Sequence, residues 1–152
     1  MKPMTMAAAA AFFAVAAKAD DTINNVVPTE FDQLVSGSIE TCAFGPAVTN
    51  VKAWACAECR ALQAFNSEYA QSVGVGAFRG CVSLEVVYLG ALTNLSGWAS
   101  MFAGCPKLLN VWLPKVGIEQ ARRAGLPFGS PANAVVFHLA DGEYDRNGRK
   151  ID

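Results

Sequence analysis

Apolar positions in the middle of this chain recur in blocks instead of following one helical or strand period. Ala77–Leu89 lies over Met101–Leu113 without a gap, at an offset of 24. Phe78 then falls on Phe102, Gly80 on Gly104 and Cys81 on Cys105. Leu84 falls on Leu108, Val87 on Val111 and Leu89 on Leu113. A more degraded copy, Ala55–Ser67, is offset by 22 and puts Cys56 in the Phe place, Cys59 in the Cys place, Leu62 in the Leu place and Phe65 in the Val place. A half-copy precedes it, with Ile39, Cys42 and Phe44 at the Leu, Val and Leu positions. The connectors agree as well, since Val48-Thr-Asn-Val51 repeats as Leu92-Thr-Asn-Leu95.

Such a unit is too small to bury its own apolar face, so copies must stack, and about three are needed for stability. Leu84-x-x-Val87-x-Leu89 reads as a short strand whose inward residues alternate at period 2. Ala77–Cys81 reads as a tight turn on the opposite side, closed by Gly80. The predicted core is therefore Cys59, Leu62, Phe65, Phe78, Cys81, Leu84, Val87, Leu89, Phe102, Cys105, Leu108, Val111 and Leu113. The fold class expected is an α/β repeat solenoid, a stack of short parallel strands with short helical turns, over residues 39–114. Residues 20–38 and 115–152 read as caps. In the first, Phe31-x-x-Leu34-Val35 suits a short helix. In the second, Ile118–Ala124 is helix-like and stops at Gly125 with Pro127 beyond. Ala134–Leu139 is a last strand, and Asp145–Gly148 is a turn that folds residues 149–151 back as a hairpin.

The phrase AF-x-G-C-x-x-L-x-x-V-x-L resembles the BspA-type leucine-rich repeat of bacterial surface proteins. The resemblance covers about Ile39 to Pro114 and is most specific over Ala77–Leu89 and Met101–Pro114. Cys56 in the Phe place and two extra residues before Met101 depart from the pattern. The resemblance implies a right-handed leucine-rich-repeat solenoid, export, and adhesion or binding in place of catalysis. Short proteins with this repeat also occur in phage and prophage gene sets, so it allows a structural or attachment role in a phage-like particle.

The amino-terminal pattern agrees with export. Lys2 precedes an apolar run, Ala7–Ala17, and Ala17-Lys18-Ala19 follows before the first acidic residue, Asp20. A positive start, a short apolar stretch and an A-x-A site read as a signal peptide over residues 1–19, with an Ala-rich helix as the alternative. The expected destination is the periplasm, the cell surface or the medium. No apolar run reaches the ~18–20 residues of a membrane span. With 53% hydrophobic and 16% charged residues the chain is no disordered segment. Its net charge of −1 provides no broad basic field for nucleic acid.

Catalytic chemistry has few places to sit. Cys56-Ala-Glu-Cys59 is a C-x-x-C, and a thiol redox protein using Cys56 and Cys59 is the enzymatic alternative. No second such pair accompanies it, however, and the one histidine, His138, is remote in sequence. Cys59, Cys81 and Cys105 share one repeat position, so a buried stack explains them first and a structural disulfide second. Cys81→Ser is then expected to bury a hydroxyl without an obvious partner. His138 lacks any nucleophile context and reads as an exposed strand residue. Glu143, Asp145, Asn147 and Gly148 resemble half of a calcium loop, but turn chemistry explains them as well. Gly74-Val-Gly76 lacks the Lys-Ser/Thr of a phosphate loop. Lys115, Arg122 and Arg123 form a small basic cluster near a helix C-terminus. No catalytic residue, metal site or cofactor is assigned.

The outward strand positions carry the functional expectation. One column reads Ala43, Asn66, Tyr88, Trp112 and His138, and the other Thr41, Ala64, Val86, Asn110 and Val136. With strands ~4.8 Å apart, Tyr88, Trp112 and His138 form an aromatic ladder. Exposed, with Asn66 and Asn110 beside it, such a ladder is a surface for a protein or glycan partner. The competing reading is cross-strand packing.

Overall fold

A computed structural model describes Glu30–Phe31, Thr41–Phe44 and residues 48–151 of the chain. The signal-peptide reading and nearly all of the amino-terminal cap lie outside these residues. The described residues contain nine short strands: β1 (Glu30–Phe31), β2 (Thr41–Phe44), β3 (Asn50–Val51), β4 (Ala64–Ser67), β5 (Ser72–Val73), β6 (Val86–Leu89), β7 (Asn110–Leu113), β8 (Val136–Leu139) and β9 (Gly142–Tyr144). Among the described residues, the only helical elements are a single turn at Trp98–Ser100 and α1 (Ile118–Arg123). No helix there is long and apolar enough to cross a membrane.

The strands build a β-solenoid. β2, β4, β6, β7 and β8 pair in parallel, in that order, giving about four turns. The register advances from Thr41 to Ala64, Val86, Asn110 and Val136, so successive turns take 23, 22, 24 and 26 residues. β8 thus belongs to the same parallel sheet as the repeats. The longer last turn holds α1, whose Ile118 and Ala121 are buried. Asp141 accepts the Ile118 N–H at the start of α1. β9 returns antiparallel on β8. Residues 149–151 then fold back on β9 through a Tyr144–Lys150 bridge and an Ile151 N–H bond to the Glu143 carbonyl, the expected hairpin.

A second, smaller sheet was not foreseen. β1, β3 and β5 pair in parallel, and Ser72 bridges onward to Asn94. Phe31, expected in a helix, therefore lies in a strand. The repeated Thr-Asn of the connectors was its signal. There Asn50 and Ser72 join side chain to side chain, and Asn94 accepts the Ser96 N–H.

The core runs along the solenoid axis. All the predicted core positions are buried. Phe78 and Phe102, equivalent in successive turns, stack with centroids 5.8 Å apart. Trp98 and Phe128 continue the aromatic packing to Phe137 beneath β8. The turns on the back are tied by backbone bonds, from Glu58 N–H to the Arg79 carbonyl and from Gly80 N–H to the Ala103 carbonyl. These positions need a left-handed backbone: φ is +62° at Glu58, +76° at Gly80 and +75° at Gly104. Glycine adopts that region without the steric cost a side chain incurs. A Cβ on Gly104 would also sit 3.2 Å from the Gly80 Cα, so close stacking of turns selects glycine again.

Candidate functional site

Both outward columns form in the expected register. Asn66, Tyr88, Trp112 and His138 are successive partners, as are Ala64, Val86, Asn110 and Val136. Their exposure differs from the expectation. Asn66 and Tyr88 are half-buried, but Asn110, Trp112 and His138 are only 6%, 1% and 7% exposed. Trp112 packs with Ala64, Val86 and Tyr88 in a small apolar cluster on the outward face. β7 is consequently buried on both faces, as a central parallel strand often is. Burial raises the Tyr88 hydroxyl above its ordinary pKa, and Glu68 adds to the effect.

His138 is the organising residue at the carboxyl-terminal end of this face. Its ring lies flat on Trp112, with centroids 4.2 Å apart and planes 6° from parallel. Its Nδ1 is 3.0 Å from Glu143 Oε1, and its Nε2 is 2.9 Å from Asn110 Oδ1. The expected exposed strand residue is thus a buried, doubly bonded side chain linking β7, β8 and β9. Burial lowers its pKa from the ordinary value, while Glu143 pulls the other way through its charge and hydrogen bond. Glu143 itself remains 42% exposed at the side chain.

Beside this group is a recess of about 230 Å³, lined by Trp112, Pro114, His138, Leu139, Gly142 and Glu143. Its walls are apolar apart from the imidazole edge and the carboxylate. Trp112 Nε1 and Asn66 Oδ1, both buried on this face, have no hydrogen-bond partner among the described residues. Pro114, Leu139, Gly142 and Glu143 were missed as a site. A two-residue turn, Ala140-Asp141, separates β8 from β9, and the pairing of Leu139 with Gly142 across it returns Glu143 alongside His138.

The remaining candidates sit in packing and turn contacts. Cys56, Cys59, Cys81 and Cys105 are all buried. The Cys81 thiol donates to the Cys56 carbonyl and the Cys105 thiol to the Phe78 carbonyl. Burial pushes the Cys59 and Cys81 thiols up, the latter further through Cys105 and Cys59, and takes Cys105 to about 12. Reactive cysteines are accessible and have lowered pKa values. Asp145 Oδ1 accepts the N–H groups of Asn147 and Arg149, so this carboxylate closes the turn in which half a calcium loop was considered. Arg122 pairs with Glu119 and donates to the Gly148 carbonyl, fastening α1 to that turn. Gly74 lies against the Ala53 backbone, where a Cβ would collide, so its role is close packing.

No protein-family model, curated protein or solved structure matches this chain.

Proposed function

We propose that the protein is an exported, non-catalytic binding module of the BspA-like leucine-rich-repeat type. On this reading its outward sheet face engages a protein or glycan partner on another surface. The observation that carries the reading is the recess beside Trp112 and His138, where an accessible carboxylate, Glu143, borders apolar walls. Concave, largely apolar sites with a few convergent polar groups are where proteins hold ligands. A nucleophile has no comparable support, because Cys56, Cys59, Cys81 and Cys105 are buried, burial raises the pKa of the last three, and the single histidine is engaged through both nitrogens.

The test is a binding screen of the purified protein against glycans and surface proteins, repeated with Glu143→Gln and Pro114→Ala. Genuine ligands of the recess lose at least tenfold in affinity in one of these variants while the fold is kept. Ligands that bind both variants as well as the parent place the interaction elsewhere. Amino-terminal sequencing of the protein from each cell fraction tests export, with a chain beginning at Asp20 outside the cytoplasm as the expected result.

A further inference from the structure

We infer that the recess takes one cationic group, the ammonium of a lysine or the guanidinium of an arginine on a protein partner, and that protonation of His138 competes with it for Glu143. This rests on the recess being the binding site.

A carboxylate only accepts, so the His138 nitrogen facing Glu143 carries a proton in either charge state. The second nitrogen decides the charge. In the cation it donates to Asn110 Oδ1 at 2.9 Å. In the neutral ring it holds a lone pair, and a half-turn of the Asn110 amide offers its NH₂ instead. Asn110 therefore satisfies both states, and the proton changes the charge of the site without breaking its packing.

The charge balance follows. Burial favours the neutral ring, which leaves the Glu143 carboxylate with its full negative charge at the edge of the recess. The protonated ring places a cation 3.0 Å from that carboxylate. From β7 the ring faces Asn110 and Trp112, neither of which titrates in this range. From β9 it faces Glu143. Asp141, in the β8–β9 turn, is turned toward the start of α1. In the returning segment, Lys150, an exposed residue, lays the end of its side chain over Gly142 and forms no ion pair among the described residues. Glu143 is thus the counter-charge that an incoming cation and His138 share.

The rest of the recess fits a long basic side chain. Pro114, exposed at the recess, supplies apolar surface for an aliphatic stem, with the nearly buried Trp112 and Leu139 behind it. At about 230 Å³ the recess is smaller than the ~300–1,000 Å³ of sites for drug-sized molecules, so it admits the end of one side chain. An anionic group is repelled by Glu143.

His138 is the only histidine, so one imidazole proton resonance reports its titration without assignment. The experiment follows that resonance by NMR against pH, in the full chain. The probe is Nα-acetyl-lysine methylamide, with sodium chloride at matched ionic strength as control. Because linkage is reciprocal, the probe lowers the His138 pKa by about one unit at ten times its dissociation constant. Glu143→Gln abolishes the shift, and the uncharged norleucine analogue produces none. The inference is overturned if the pKa is the same with and without probe at its solubility limit, or if the shift survives in Glu143→Gln. A neutral methyl glycoside that perturbs the resonance while the lysine probe does not would overturn it too, yet leave the recess as a binding site. Ligands insensitive to both recess variants would instead remove the binding-site reading itself.

Discussion

Cys81 Sγ donates to the carbonyl oxygen of Cys56, one turn earlier, across 3.0 Å. The same bond recurs from Cys105 Sγ to the Phe78 carbonyl, also at 3.0 Å. Cys56 and Phe78 occupy equivalent places in their repeats, so the thiol ladder is a repeating link between turns. A buried carbonyl that accepts from a thiol need not go unsatisfied, and a small apolar side chain fills the space between turns.

This relationship changes what substitution at position 81 should do. A serine hydroxyl is not orphaned there, because the Cys56 carbonyl stands ready to accept. Cys81→Ala removes both donor and volume and is expected to cost about 1–3 kcal/mol. Cys81→Ser is expected to cost less than Cys81→Ala. Urea denaturation midpoints of the two variants check the order, and a serine variant less stable than the alanine variant would refute the bond's contribution.

The same thiols should be chemically silent in the folded protein. With the Cys105 pKa near 12 and no exposed surface, almost none of it is thiolate at neutral pH. Iodoacetamide should label Cys81 and Cys105 only after denaturation, as read by peptide mass mapping. Rapid native labelling at either position would contradict their burial.

Leu84 and Leu108 occupy one repeat position and are fully buried. Leu84→Ala or Leu108→Ala is expected to cost roughly 2–5 kcal/mol, as large-to-small core changes do. Chemical unfolding measures this directly, and a near-neutral result at either site would place that leucine outside the axial core.

Glu58 holds a left-handed backbone where the following turns use Gly80 and Gly104. The side chain there costs about 1–2 kcal/mol relative to the right-handed region. Its ion pair with Arg60, 3.6 Å long and exposed on both sides, offsets little of that. Glu58→Gly is expected to raise the thermal midpoint, less the entropy that glycine adds to the unfolded chain. Gly80→Ala is expected to lower it, because a Cβ there meets both the unfavourable φ and the Glu58 carboxylate. Calorimetry of the two variants should show shifts of opposite sign.

Stability should also report on His138. Its folded pKa lies below the unfolded value of 6.5, so the unfolded chain takes up the proton first as pH falls. This contribution is fully present above about pH 6.5 and is lost as pH falls through the folded pKa. Denaturation midpoints measured across that window should decline more steeply in the parent than in His138→Gln. Equal slopes would mean that the folded and unfolded histidines titrate alike.

The sequence by itself determined the repeat length, the stacking of turns, the inward ladder through Phe65, Val87 and Val111, and the register of both outward columns. These follow from local periodicity, since a strand alternates at period 2 and each copy fixes the alignment of the next. Gly125, placed as the helix stop, and the turn at Asp145–Gly148 were legible for the same reason, because their backbone chemistry is local. Only the tertiary structure decided that Trp112 and His138 are buried on the outward face. Alternation says which way a side chain points, but coverage of that face depends on neighbours distant in sequence. His138 meets Asn110 across 28 residues, and it meets Glu143 only because the β8–β9 turn reverses the chain. The recess and its charge balance arise from that convergence, so they could not be read from the strand pattern alone.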